Sequence, residues 1–293
     1  MSATTPPIPP ADSTPNPTPR RGAWRVLGII AGVTLAVVGV LQFSQGIHGL
    51  FPRLGADADV TARSATAVAT AQRLVDLTLD VYRSGQAPRA TDPAIAPLLD
   101  AVFDVKMLRS KPALTTADLG ALMEWSQATL RVGAIYFLAG TGVADFAKMP
   151  NDQKVLAQTD RNTVIYAPEV GRFLDAELAL SAVMAEPLAK TLDDGTRSEV
   201  AKSKIRAGSL QMISGAIVTM ALPGLTADWR HQRLAALQEY GPRTVKLLTP
   251  AQCGDLRQVS LAAASTSSDA ATQQGLNGFA AALSCGQQAP ASR

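Results

Sequence analysis

The chain has 293 residues with a net charge of +3, 17% charged and 47% hydrophobic residues, two histidines and two cysteines. The positive excess arises largely from Arg20, Arg21 and Arg25, and beyond them acids and bases nearly cancel, so the balance is not a nucleic-acid signature. So few histidines and cysteines also argue against a metal centre, and no cofactor motif stands out.

Residues 1–23 contain Pro6, Pro7, Pro9, Pro10, Pro15, Pro17 and Pro19 with Ser and Thr between them. Proline removes amide donors and the segment has little apolar mass, which predicts a disordered tail. Val26 to Phe43 is an uncharged apolar run of about 18 residues, close to the length of helix needed for a hydrocarbon core of about 30 Å. Residues 24–44 therefore read as a transmembrane signal-anchor helix, with membrane lipid as its partner. Arg20, Arg21 and Arg25 precede the run, which places the amino terminus in the cytoplasm and the remaining chain outside it. Ser44 and Gly46 are spaced like a signal-peptidase site, but the run exceeds the usual signal core, so an anchor is the preferred reading. The expected location is the inner membrane, single pass, with a periplasmic domain. Gly28, Gly32 and Ala36 recur every four residues, a smooth stripe of the kind that lets membrane helices dimerise.

After a juxtamembrane linker at 45–57, residues 58–285 are rich in Ala and Leu, lack strand-like alternation and carry repeated helix start and stop signals. The fold class is all-α, an exported multi-helix bundle, with a disordered tail at 286–293. The first helix spans about Val60–Ser84, burying Val68, Leu74, Val75, Leu77, Leu79, Val81 and Tyr82 and ending at Gly85. Asp92 with Pro93 opens a second, burying Ile95, Leu98, Leu99, Val102, Phe103 and Met107. Thr115 with Asp118 resembles a capping box for a helix reaching Ala139, whose stretch from Val132 is apolar all round and reads as the core helix. A shorter helix covers Asp152–Val164, and Pro168-Glu169 opens one that Pro187 kinks or ends. Thr196 and Glu199 cap a helix stopped by Pro223-Gly224; its stretch Ala207–Leu222 is a marginal second span, read as buried in protein. Asp228 caps a helix ended by Gly241-Pro242. Thr249-Pro250-Ala251-Gln252 starts the next, and Asp269–Ser284 forms the last. The final two make a short-looped antiparallel hairpin with Cys253 and Cys285 at one end, which predicts a structural disulfide in an oxidising compartment.

Motifs for chemistry are sparse. Gly140-Thr141-Gly142 follows an apolar run, yet Asp145 takes the third glycine position of a dinucleotide loop, so a helix end and turn is the better reading. His231 lies in Trp-Arg-His-Gln-Arg, typical of a solvated face. Asp175 and Glu177 point apart on a helix and cannot share a substrate. Arg73-Leu74-Val75-Asp76 and Arg172-Phe173-Leu174-Asp175 are alike, which amphipathic helices produce by coincidence. Arg197, Lys202, Lys204 and Arg206, with Arg230, Arg233, Arg243 and Lys246 further on, are the strongest charge feature. They form a basic patch if their helices are neighbours, but they do not share one stripe, and a solvated face balanced by Glu199, Asp228 and Glu239 is favoured. The functional expectation is a non-catalytic binding or scaffolding domain in the cell envelope, with an envelope protein or a second copy as partner. A ligand-binding sensory domain is the alternative, and a cell-wall-modifying enzyme a weaker one.

Overall fold

The computed structural model describes Gly39 and residues 55–109, 114–145, 148–150, 152–193 and 198–285. The tail at 1–23, the anchor apart from Gly39, Gly28, Gly32 and Ala36 within it, Thr196, Arg197 and the tail at 286–293 lie outside the described residues. Every regular element among the described residues beyond Gly39 is helical: α1 Ala58–Leu77, α2 Val81–Ser84, α3 Ala96–Phe103, a 3-10 turn at Lys106–Arg109, α4 Leu119–Phe137, α5 Gln153–Ile165, α6 Ala167–Asp193, α7 Glu199–Met220, α8 Ala227–Val245, α9 Pro250–Thr266 and α10 Ala270–Ala282. No described helix is long and apolar enough to cross a membrane, and α7, with its marginal stretch, packs on α6, α8 and α9.

α4 is the core helix, as its all-round apolarity requires. Trp125, Val132, Ile135, Phe137 and Leu138 are fully buried, and the Trp125 indole donates to Val102 O at 2.7 Å. α1 lies on one side of α4 and α6 on the other; α6 in turn carries α8, and α8 carries α7 and α10. Phe137 meets Phe173 edge to face at 5.3 Å, and α4 approaches that ring through Gly133, where a β-carbon would lie 2.7 Å from Phe173 Cδ2. Asn162, buried on α5, donates to Phe137 O and Ala139 O at 2.9 and 2.8 Å and so caps the end of α4.

Several boundaries depart from the pattern. α1 stops at Leu77, where the Thr78 hydroxyl bonds Leu74 O at 2.6 Å, and Leu77 and Leu79 are exposed rather than part of the buried face. The chain re-enters α2, and Gly85 takes the left-handed conformation, as expected. Asp92 does not cap α3: its carboxylate holds a turn by accepting from Ala94 N, and the helix begins at Ala96. Asp118 takes the amide and hydroxyl of Thr115, so α4 starts after it with only half of a capping box. Ser198 caps α7, and Thr226 rather than Asp228 caps α8. Pro242 does not end α8, and α6 continues through Pro187. In both, buried residues continue past the proline: Leu188, Thr191 and Leu192 on α6, and Thr244, which bonds Ser181, on α8. That packing outweighs a lost ladder bond. The capping box of Thr249 with Gln252 forms in full.

Candidate binding groove

The charged side chains that converge lie between α3, the 3-10 turn, α6 and α8, around a cavity of about 550 Å³. Arg172 and Asp175 are three apart on α6 and share a face. Arg172 pairs with Asp100 of α3, and Asp175 with Arg233 of α8. Arg109, on the turn, pairs with Glu239 at 2.9 Å and donates to the Tyr240 hydroxyl at 2.8 Å. Asp104 and Lys106 complete the charged rim, and Phe103, Val105 and Ala236 supply apolar wall. Each arginine is thus tethered to a carboxylate from a different element. The groove presents positive and negative charge side by side.

Its floor is the Asp175–Arg233 pair. Arg233 is only 9% exposed, and its guanidinium also lies 5.4 Å from the Trp229 ring. Asp175 is 32% exposed, yet its Oδ1 is covered and unpartnered, so desolvation raises its pKa to about 6 against the pull of Arg233. Burial also raises the Tyr240 hydroxyl, against the hydrogen bond from Arg109. Glu177, two residues beyond Asp175, faces α4 instead, where its Oε2 accepts from Ser126 at 2.8 Å. Complete burial lifts it to about 8, so it is mostly protonated at neutral pH. Asp175 and Glu177 therefore do point apart, as helical spacing requires.

A second cleft, about 630 Å³, lies at the carboxyl end of α8 beside Cys253 and Cys285 and is lined largely by apolar groups such as Leu248, Phe279 and Leu283. The cysteines stand at disulfide distance, with Cα atoms 5.4 Å apart, at one end of the α9–α10 hairpin.

Among the described basic residues, Arg206 and Lys246 both border the second cleft. Lys202 pairs with Glu199 at 3.0 Å, Lys204 is exposed, and Arg206 borders the second cleft. Arg243 and Lys246 are exposed, but Arg230 and Arg233 are buried, which corrects the reading of a solvated face. Arg230 donates from Nε to Met220 O at 2.9 Å and from Nη2 to Leu222 O at 2.8 Å, capping α7. His231, between them, points out and meets Asp269 at 3.0 Å. Bonds from Thr272 and His231 hold Asp269 low, at about 2. The Gly140-Thr141-Gly142 turn spends its amides on protein: Gly140 N donates to Val81 O at 3.0 Å and Gly142 N to Tyr82 O at 2.8 Å. Among the described residues no group of three or more His, Cys, Asp and Glu is placed to hold a metal ion.

Sequence reasoning singled out Arg172 and Asp175 as half of a repeat, not as groove residues. Their counterparts Arg73 and Asp76 are exposed on α1, so the likeness extends only to the buried positions Leu74 and Phe173. Asp100, Asp104, Arg109 and Tyr240 carry no local signal, because each joins the groove across a long sequence separation. Compared with protein-family models, with curated proteins and with solved structures, the chain matches none.

Proposed function

We propose that the chain is a membrane-anchored, periplasmic helical binding domain, and that the groove between α3, α6 and α8 holds a charged segment of an envelope protein without making or breaking bonds. The observation that carries this reading is the convergence of three arginine–carboxylate pairs on one cavity. Such pairs can exchange partners with an incoming strand or helix that carries both signs of charge, which favours selectivity over raw affinity. Their mutual tethering also leaves little room for a lone base or nucleophile within the groove. The anchor part of the reading rests on the uncharged run Val26–Phe43 and the arginines before it. The cysteine pair fits an oxidising compartment.

A photo-cross-linking residue in place of exposed Lys106, in the full chain in cells, should give one discrete adduct, and Arg172→Glu should abolish it. Persistent lack of a discrete adduct would count against the reading. A small charged ligand is the second reading, because a cavity of about 550 Å³ falls within the range of ligand sites. In that case purified full chain in detergent would carry a releasable small molecule, and the cross-linker would capture no protein.

A further inference from the structure

The second cleft, at the carboxyl end of α8, differs in chemistry from the groove and shares no lining residue with it. The ends of α6, α8 and α10, the start of α9 and one residue of α7 build it. Leu192, Leu248, Phe279 and Leu283, all buried, give it an apolar wall. That wall is fixed in advance. Cys285 is bonded to Cys253, and Arg257 of α9 donates from Nε to Ala280 O at 3.2 Å and from Nη2 to Leu283 O. The end of α10 is thus pinned beside the start of α9, and an occupant need not order it.

Three charged side chains border the cleft: Arg206 of α7, Lys246 after α8 and Asp193 at the end of α6. Arg206 is half-buried, and the other two are exposed. None of them belongs to an ion pair among the described residues, unlike the tethered arginines of the groove. The rim therefore offers two cations against one carboxylate, above an apolar wall. An alkyl chain ending in an anionic head complements both parts, whereas a cationic head would meet Arg206 and Lys246 unfavourably. The volume of about 630 Å³ falls within the range of small-molecule sites. We infer that this cleft binds a single-chain anionic amphiphile, a long-chain carboxylate or a monoacyl phosphate. The chain lies against Leu248, Phe279 and Leu283, and the head lies beside Arg206 and Lys246. Carboxylate and phosphate share the chemistry that a guanidinium fork reads. The inference does not depend on what the groove binds.

Full-length protein in phosphatidylcholine nanodiscs can be irradiated with alkyl-diazirine probes of equal chain length: a fatty acid, a lysophosphatidic acid and a fatty alcohol. At least one anionic probe should label peptides within 241–253 and 279–285, and which of the two does so identifies the head. Arg206→Ala with Lys246→Ala should cut that labelling about tenfold or more. Equal labelling of these peptides by the alcohol, or anionic labelling confined to 24–44, would overturn the inference. Ala282, an exposed residue of the rim, allows a second variant that keeps both cations. Ala282→Trp fills the cleft and should block labelling; undiminished labelling would overturn the inference even if the double alanine variant fails to fold. In cells, Ser284→p-benzoylphenylalanine should gain a lipid-sized mass on irradiation. An adduct with a second copy or with another protein would mean that a different occupant covers the cleft, and would overturn the inference as well.

Discussion

Arg233 crosses α6 directly over Gly171, where a β-carbon would lie 1.9 Å from Nη1 and 2.8 Å from Trp229 Nε1. Asp175, one turn further along the same face, receives the guanidinium. The missing side chain at 171 is what lets α8 deliver a nearly buried cation to α6, and so sets the floor of the groove.

Gly171→Ala should therefore dislodge Arg233 and destabilise the fold by about 1–3 kcal/mol, measured by urea denaturation. Arg233→Met should cost a similar amount, because it leaves a partly buried carboxylate without its partner. The double change Arg233→Met with Asp175→Asn should cost less than the sum of the single changes, since the two groups act as a unit. Additive losses would show that the pair is not coupled.

Glu177 makes stability depend on pH. Its pKa rises on folding from 4.5 to about 8, so the native state binds its proton more tightly than the unfolded chain does. The sign follows: the protonated group is tolerated below pH 4.5, and stability falls as pH rises from there through about 8. Glu177→Gln, which keeps an acceptor for Ser126, should be more stable than the natural chain at about pH 9, by about 1–3 kcal/mol, and similar at about pH 4. Asp175, raised to about 6, adds a fall of the same sign over a lower range. Unfolding midpoints across that range, compared between the two chains, give the answer directly.

Arg230 binds carbonyls at the end of α7 while itself nearly buried. Arg230→Met preserves much of the stem packing and removes both charge-assisted bonds and the favourable charge at the helix terminus. A loss of about 2–3 kcal/mol is expected, with faster amide exchange confined at first to the end of α7 and the turn after it. A change spread evenly over the bundle would mean that the residue acts through packing alone.

Cys253→Ser with Cys285→Ser removes a link that closes a sequence separation of 32 residues. In the chain-entropy account this costs about 3–4 kcal/mol. The α9–α10 hairpin should open before the rest, detectable as protease cleavage between the two helices. Thiol trapping in intact cells should find both sulfurs oxidised; free thiols would place the domain in a reducing compartment.

The helical class, the buried stretch after Val132, the capping box at Thr249 and the pairing of Cys253 with Cys285 were legible from local pattern, because each depends on residues a few positions apart or on one short hairpin. Proline misled at Pro242, since local propensity there opposes a helix that tertiary burial of Thr244 sustains. The two arginines of α8 misled in the same way. A charged run looks solvated from its composition, and only the placement of α6 and of the end of α7 turns Arg230 and Arg233 inward.

By itself, the sequence determined that the domain is helical, where most helices lie and which cysteines can meet, because hydrophobic period and capping are short-range physics. Tertiary structure decided which charges face one another across α3, α6 and α8, and that Gly39 meets α7. Those contacts join residues far apart in the chain, through spaces left by glycines at 39 and 171 whose significance appears only when a partner helix fills them.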